Sequence, residues 1–297
     1  MAALILGMAT LQGCASFTEK LSTMIADKLE HRVNTGMQEK IGQLSDNLTT
    51  SMLNHDDPGT IVSGMPAYLI LLDSMLESQP DDPKLLMATS RLYSTYAGAI
   101  ADDHPKRAKR LSERARKYAA KVLCQKHPGV CSKAVGPFDK FKPQVDRIGP
   151  GDIEELYTYG VAWAGWLQAR PGDWEAIAEA PKIEHIFQHL VNMKENYDTG
   201  RAQLYLGVMR CQIPAKLGGK PETARKHFEK AIKYANNRDL IMQVMFARYY
   251  ARLVYKQELH DKLLKDVLEA DPKAKDLTLS NVLAQQQAAK LKEDDYF

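Results

Sequence analysis

Residues 221–235 read PETARKHFEKAIKYA, and their apolar side chains recur every three or four positions. Ala224, Phe228 and Ala231 fall on one face of a helix that begins with a proline. Small alanines on that face allow a second helix to approach closely, and the phenylalanine fills the space between neighbouring helix pairs. The stretch therefore predicts one helix of a packed pair.

The same spacing recurs on both sides of this stretch. The order A-x3-F-x2-A resembles the second helix of a tetratricopeptide repeat, and Leu206 with Gly207 resembles the leucine-glycine step of the first helix. Equivalent anchor positions at Met193, Ala231 and Val267 are 38 and 36 residues apart. The repeat consensus is about 34 residues, so the additional residues are expected in loops.

Prolines divide the chain into segments of helical periodicity, because proline fits a first helical turn and interrupts a helix interior. The segments are 60–79, 83–101, 105–127, 151–169, 182–196, 198–217, 221–235, 239–255, 257–270 and 275–292. No run alternates apolar and polar residues over the length of a strand. We predict an all-α domain over residues 55–297, built of antiparallel helix pairs that form a tetratricopeptide-like superhelix.

Composition excludes several classes of protein. The chain has 297 residues, of which 44% are hydrophobic and 26% are charged, and its formal net charge is +3. These values are typical of a globular protein rather than a disordered one, and the charge is too small to indicate nucleic-acid binding. Residues 1–16 form the only uncharged segment that resembles a membrane signal, and they are too short to span a bilayer. An integral membrane protein is therefore not expected.

The N-terminus resembles an export signal. Residues 1–13 are apolar and end in small residues, and residues 11–14 (LQGC) resemble the lipobox of bacterial lipoproteins. This resemblance implies acyl chains such as palmitate on Cys14 and, because Ala15 follows it, sorting to the outer membrane. Residues 14–54 are expected to form an amphipathic helical segment behind the anchor. The alternative is a disordered terminus with an incidental cysteine.

Several motifs from residue 156 onward resemble, in order, those of one family. They are 156–164 (LYTYGVAWA), 197–200 (YDTG), 206–208 (LGV), 217–228 (LGGKPETARKHF), 247–252 (ARYYAR) and 294–297 (DDYF). The set is similar to the T-component of tripartite ATP-independent periplasmic (TRAP) transporters, and the resemblance covers residues 55–297. Residues 124–148 depart most from the family pattern.

The resemblance implies a lipoprotein of cryptic tetratricopeptide-like repeats that catalyses no reaction. It implies a homotrimer that associates with the substrate-binding P-component on the periplasmic side of the membrane. First helices line the inside of a tetratricopeptide superhelix, which makes their aromatic residues candidates for the partner or ligand surface. The candidates are Tyr157, Trp166, Tyr205, Tyr249 and Arg252. Trp163 is expected in the core, and at most one of Tyr249 and Tyr250 should face the concave side.

Signatures of enzymes and cofactors are missing from the sequence. No glycine-rich phosphate loop follows a strand, and no serine or cysteine nucleophile motif occurs. We predict no enzymatic activity, no cofactor and no metal. His185 and His189 lie one helical turn apart, but no third ligand accompanies them, so a solvated helix face is favoured over a metal site.

Residues 106–121 carry eight basic residues and a single acid, Glu113. Nucleic-acid binding would need interleaved aromatic residues or a recognition fold, and an exported lipoprotein does not meet DNA. Two interpretations stay open. The stretch is either a solvated helix face or a contact with anionic lipid or an acidic partner surface.

Three cysteines remain once Cys14 is set aside. An exported chain meets an oxidising compartment, and the turn signal at Pro128 and Gly129 brings Cys131 back towards Cys124. A disulfide between Cys124 and Cys131 is therefore expected, while Cys211 is expected to be a buried thiol. The alternative is that all three are reduced and packed.

Two further functions fit the same anchor and repeats. The first is a tetratricopeptide lipoprotein scaffold for assembly of the cell envelope. The second is a superhelix that itself binds a small apolar ligand, since stacked helix pairs form a concave surface.

Overall fold

The computed structural model of the chain describes residue 47 and residues 50–212, 219–294 and 296–297. The predicted signal peptide, Cys14, most of the anchor segment and the Leu217–Gly218 part of the glycine-rich loop lie outside the described residues. Contacts group Leu53–Phe297 into one compact unit.

The described part of the chain contains helices and no strand, which confirms the all-α prediction there. In chain order the helices are α1 (Pro58–Ser78), α2 (Pro83–Ala99), α3 (Pro105–Lys126), α4 (Pro128–Ala134), α5 (Phe138–Val145), α6 (Ile153–Gln168), α7 (Trp174–Ala178), α8 (Ala180–Met193), α9 (Arg201–Arg210), α10 (Pro221–Tyr234), α11 (Ile241–Met245), α12 (Gln257–Glu269) and α13 (Thr278–Glu293). A π-helical stretch (Phe246–Ala251) continues α11, and Pro150–Asp152 and Tyr197–Gly200 are short 3-10 turns.

Proline begins several of these helices, as the sequence predicts. Pro58, Pro83 and Pro105 are the first residues of α1, α2 and α3, where the missing amide proton costs no hydrogen bond. Two of the starts are also capped. The Asp57 carboxylate accepts hydrogen bonds from the amides of Gly59 and Thr60, and that of Asp82 accepts one from the amide of Leu85.

The structure corrects some predicted bounds. α4, α5 and α7 have only 7, 8 and 5 residues, too few for a periodic pattern to stand out in the sequence. Residues 198–217 were predicted as one helix, whereas α9 spans Arg201–Arg210 and follows a turn. The turn contains Asp198 and Thr199 at positive φ, a conformation that a helix does not tolerate.

Glycines allow neighbouring helices to approach closely. A Cβ atom added at Gly207 would lie 3.0 Å from the ring of Phe228, and one added at Gly160 would lie 2.9 Å from Ile186. Phe228 in turn stacks on Phe246 with ring centroids 5.1 Å apart. The alanine-phenylalanine pattern of residues 221–235 therefore lies in the core, where Ala224, Phe228 and Ala231 are fully buried.

α1 is long and apolar enough, by length and composition alone, to cross a membrane. It carries Asp73 and Glu77, so it is not an uncharged segment like residues 1–16. One face of α1 is buried in the domain through Ile61, Met65 and Leu69. The Asp73 carboxylate accepts hydrogen bonds from the hydroxyls of Tyr93 at 2.6 Å and Tyr118 at 2.8 Å, so this face packs on α2 and α3.

Candidate functional site

Two of the five predicted surface residues come together in the structure. Tyr157 of α6 and Tyr205 of α9 both contact Phe187 from α8. The Tyr205 ring stacks on Phe187 with centroids 4.4 Å apart, and the Tyr157 ring approaches it edge-on at 6.4 Å. Both tyrosines are half-buried. A single buried phenylalanine thus joins two side chains that are 48 residues apart in the sequence.

A strained turn places an acid beside these tyrosines. The hydroxyl of Tyr157 donates a hydrogen bond to Asp198 Oδ2 at 2.5 Å, and the Tyr157 ring contacts that of Tyr197 at 5.1 Å. Asp198 and Thr199 have φ of 48° and 51°, which non-glycine residues adopt rarely. Gly200 follows at φ 94°, where a Cβ atom would lie 3.0 Å from the backbone oxygen of Ala231. The close approach of α10 to Gly200 therefore fixes where Asp198 lies.

Arg201 completes the site, and the carboxylate of Asp239 holds the Arg201 guanidinium in place. The Nε atom of Arg201 donates a hydrogen bond to Asp239 Oδ2 at 2.9 Å, and the Asp239 side chain is fully buried. Among the described residues the two terminal nitrogens of Arg201 form no hydrogen bond, and Asp239 Oδ1 is buried without a partner. One edge of the guanidinium is therefore fixed while the other is open to an external acceptor.

Burial and charge shape the titration of this cluster. Burial raises the pKa of Tyr157 well above its ordinary value, and Tyr205 and Asp198 add to the shift. Burial likewise raises the pKa of Tyr205 to about 12. Burial alone would lower the pKa of Arg201, but the charge of Asp239 raises it above its ordinary value. At neutral pH both phenols are therefore uncharged donors and Arg201 carries its charge.

These residues are called the tyrosine–arginine cluster below. Its members are Tyr157, Phe187, Tyr197, Asp198, Arg201 and Tyr205. Tyr157 and Tyr205 each keep part of their surface exposed to solvent, yet burial is the largest cause of the rise in the pKa of each.

Sequence reasoning missed part of the cluster. Phe187, Asp198, Arg201 and the supporting Asp239 were not among the predicted surface residues. The available signal was the run YDTGR at 197–201, which puts an acid and a base just before and within the first turn of a helix. Only the fold shows that the acid faces Tyr157 and that the base faces Asp239.

Trp166 lies elsewhere, between α3 and α6. Its Nε1 donates to Glu113 Oε2 at 2.5 Å, and the guanidinium carbons of Arg116 and Arg170 lie 4.4 and 4.2 Å from its ring centroid. The structure thus places Trp166 in an internal cation–π network. Trp163, which was expected in the core, is fully buried.

Tyr249 and Arg252 also lie apart from the cluster. Tyr249 is half-buried against the core around Phe228, while its neighbour Tyr250 is fully buried and donates to Glu222 at 2.7 Å. Arg252 binds Asp294 at 2.9 Å and lies 4.6 Å from the centroid of the Tyr296 ring. Its guanidinium is therefore engaged in holding the end of the chain.

The two histidines of α8 do not form a solvated face. His185 Nε2 lies 2.8 Å from Asp146 Oδ1, and His189 Nε2 lies 2.8 Å from the backbone oxygen of Ile148. The expectation of a solvated face is therefore wrong, because both rings hold the segment after α5 against α8. Within the described ranges no group of three potential ligands could hold a metal ion.

Cys124 and Cys131 form a disulfide in the structure, with their α-carbons 5.8 Å apart. α3 ends at Lys126 and α4 begins at Pro128, so the chain reverses between the two sulfur atoms. Cys211 is buried, and burial raises the pKa of its thiol to about 12. The oxidation state of the pair in the exported protein stays a prediction.

Two surface cavities lie away from the cluster. One of about 490 Å³ is lined mainly by polar side chains, including Asp56, Arg238, Lys273 and Lys275. The other, of about 250 Å³, lies beside Tyr159 and Cys131. Neither contains a residue of the tyrosine–arginine cluster.

Comparison with known families identifies the family of the chain. A family model described as TRAP transporter T-component matches residues 54–297, which include every residue of the cluster. No curated protein matches the chain significantly.

Proposed function

The chain belongs to the T-component family of TRAP transporters, and from this premise we propose that it is the non-catalytic, lipid-anchored subunit that docks the substrate-binding P-component. An accessory role in TRAP transport follows from the family. The docking role rests on the tyrosine–arginine cluster. Two half-buried tyrosines beside an arginine with unpartnered nitrogens are the residue types that dominate binding energy at protein interfaces.

The docking surface in this proposal is the concave side of a tetratricopeptide-like superhelix. Contacts between α2 and α3 support opposite chain directions. Arg107 lies over the ring of Tyr96, Tyr118 contacts Tyr93, and Lys121 donates to the backbone oxygen of Pro80. Residue numbers rise along one helix as they fall along the other. Packing of Phe228 into Gly207 supports the same arrangement for α9 and α10.

We further propose that acyl chains on Cys14 hold the protein on the periplasmic face of the outer membrane, and that the assembled form is a homotrimer. These three properties rest on the lipobox at residues 11–14 and on the family. They place the docking surface in the same compartment as a P-component.

The test measures capture of a TRAP-transporter P-component from the same organism. The full chain carrying Cys14→Ser is mixed with the purified P-component and followed by sedimentation velocity. We expect one P-component per chain and a mass of three such complexes. Tyr205→Ala and Arg201→Gln should each weaken binding about tenfold or more, because each removes an interface anchor.

Trp174→Ala is the matched control, since Trp174 is an exposed aromatic residue outside the cluster. It should leave the affinity unchanged. Equal losses in all three variants would show that the cluster is not the docking point. A strict monomer that captures no P-component would favour the envelope scaffold instead.

A further inference from the structure

From Thr60 to Ser74 the outward face of α1 is exposed and uncharged. Its residues are Thr60, Ser63, Ala67, Ile70, Leu71 and Ser74, all exposed to solvent. Ile70 and Leu71 are 71% and 54% exposed, which is unusual for large aliphatic side chains next to each other. Asp73, the charged residue of the stretch from Thr60 to Ser74, faces inward to Tyr93. Between Thr60 and Ser74 the face therefore presents apolar and small hydroxyl-bearing side chains, and the exposed acid Glu77 follows at its C-terminal end.

A basic stripe runs beside this face. It consists of Lys106, Arg110, Arg114, Lys117 and Lys121, which are spaced three or four residues apart on α3 and are all exposed. Arg114 Nη1 lies 3.2 Å from Asp73 Oδ2, and Lys121 Nζ donates to the backbone oxygen of Pro80 at 2.6 Å. The stripe thus meets the C-terminal end of α1. Lys106, Arg110 and Lys117 form no ion pair with any described residue.

We propose that the uncharged face of α1 and the basic stripe of α3 together rest on the surface of an anionic phospholipid bilayer. An apolar surface bordered by cations is the pattern of proteins that lie in the membrane interface, where aliphatic side chains enter the acyl boundary and cations meet phosphates. Contact between the stripe and anionic lipid explains why residues 106–121 carry eight basic residues and a single acid, Glu113.

The position of α1 in the chain supports the same occupant. Among the helices given above, α1 is the closest in sequence to Cys14, and residues 15–57 separate the two. This inference rests on the lipid anchoring put forward under the proposed function. One membrane signal binds weakly, and an anchor combined with a polybasic surface binds stably.

A second copy of the chain fits this surface less well. Pairing two copies of the face would bring two basic stripes to one interface, and like charges there cost free energy. Two acids lie at the C-terminal end of the face, Glu77 and Asp81, and Asp81 already pairs with Lys121 at 3.0 Å. Phosphate groups of lipids supply the missing negative charge.

The test uses the full chain with Cys14→Ser, which has no acyl chains, in flotation assays with vesicles. Vesicles of phosphatidylethanolamine and phosphatidylglycerol should bind the chain, and binding should fall as salt is added. Vesicles of phosphatidylcholine should bind it far less. Lys106→Gln/Arg110→Gln/Lys117→Gln should weaken partitioning about a hundredfold, since each cation near an anionic surface contributes about fivefold. Ile70→Ser/Leu71→Ser should weaken it about tenfold.

Matched controls come from other exposed parts of the domain. Arg238→Gln/Lys273→Gln/Lys275→Gln removes three exposed cations that also form no ion pair with described residues, and Val135→Ser/Trp174→Ser removes two exposed apolar residues. Both should leave partitioning unchanged. All substitutions are at exposed positions, and circular dichroism melting checks that each variant is folded.

Three results would overturn the proposal. The first is that the unlipidated chain fails to bind anionic vesicles. The second is that the α1 and α3 variants bind vesicles as well as the control variants do. The third is that Ile70→Ser/Leu71→Ser dissociates an oligomer while vesicle binding persists. The last result would assign the face to a second copy. Capture of the P-component in solution needs no vesicle, so failure here is distinct from failure of the docking proposal.

Discussion

Arg201 Nε donates a hydrogen bond to Asp239 Oδ2 at 2.9 Å and so ties the first turn of α9 to the segment between α10 and α11. The carboxylate is fully buried, whereas 34% of the arginine side chain is exposed. An interior acid therefore fixes a guanidinium whose other edge reaches the surface. A side chain held in this way loses little conformational entropy when it binds, which favours a role in recognition.

Removing the acid should destabilise the domain. Asp239→Asn leaves Arg201 without its counter-charge in a largely buried site, and we expect a loss of about 3 kcal/mol in the free energy of unfolding. Urea denaturation measures it. Asp294→Asn is the control, because it removes the exposed acid paired with Arg252 and should cost less than about 1 kcal/mol. Similar losses of stability in the two variants would mean that the buried Arg201–Asp239 pair contributes no more than an exposed ion pair.

Glycines in first helices should differ sharply in their response to alanine. Gly207→Ala places a Cβ atom 3.0 Å from Phe228 and should cost about 1 to 3 kcal/mol through overpacking. Gly165→Ala in α6 meets nothing within 4 Å and should stabilise by about 0.5 to 1 kcal/mol through helix propensity. Gly207→Trp should prevent normal folding. Thermal and urea denaturation measure the stability of the two alanine variants. An unchanged stability of Gly207→Ala would contradict the packing described for α9 and α10.

The cysteines should label in a fixed pattern. In the full chain with Cys14→Ser, a Cys124–Cys131 bridge leaves Cys211 as the single thiol, so intact mass after denaturation and alkylation without reductant should show one label. Under native conditions that label should be slow, because burial raises the pKa of Cys211. Reduction should cost about 2.5 kcal/mol of stability. Three labels in the unreduced protein would refute the bridge.

Stability should fall in mild acid because of one histidine. Burial, with the charges of Arg210 and Lys230, lowers the pKa of His227 to about 4. The unfolded chain takes up this proton near pH 6.5, so the stabilisation is complete above that pH and is lost as the pH falls towards 4. The loss is about 2 to 3 kcal/mol. His227→Gln should flatten this part of the pH profile, and an imidazole NMR titration reports the pKa directly. A normal midpoint would be inconsistent with the burial of His227.

Anchoring should depend on Cys14 alone among the cysteines. Cys14→Ser removes the acylation site and should release the protein into the soluble periplasmic fraction at high salt, where the basic stripe is screened. Cell fractionation with an antibody to the chain measures the release. Cys211→Ser is the matched control and should leave the protein in the membrane fraction. Retention of Cys14→Ser at high salt would refute the lipoprotein assignment.

The sequence by itself determined the helical class, the main helix starts and the family. Proline at the starts of helices and apolar spacing of three and four act over a few neighbouring residues, so they can be read without a structure. The pattern of Ala224, Phe228 and Ala231 identified the buried face of α10 for the same reason. The short helices α4, α5 and α7 fell below the length at which such periodicity is visible.

Only the tertiary structure decided which of the candidate surface residues act together. Tyr157 and Tyr205 come together because both contact Phe187 of a third helix, whereas the guanidinium of Arg252 is held by Asp294 and the ring of Tyr296. Arg201 and Asp239 pair across 38 residues. Side-chain periodicity gives the face of each helix, but contacts between distant helices depend on how the loops place them. That placement, which no local pattern encodes, sets the charge and burial of the site.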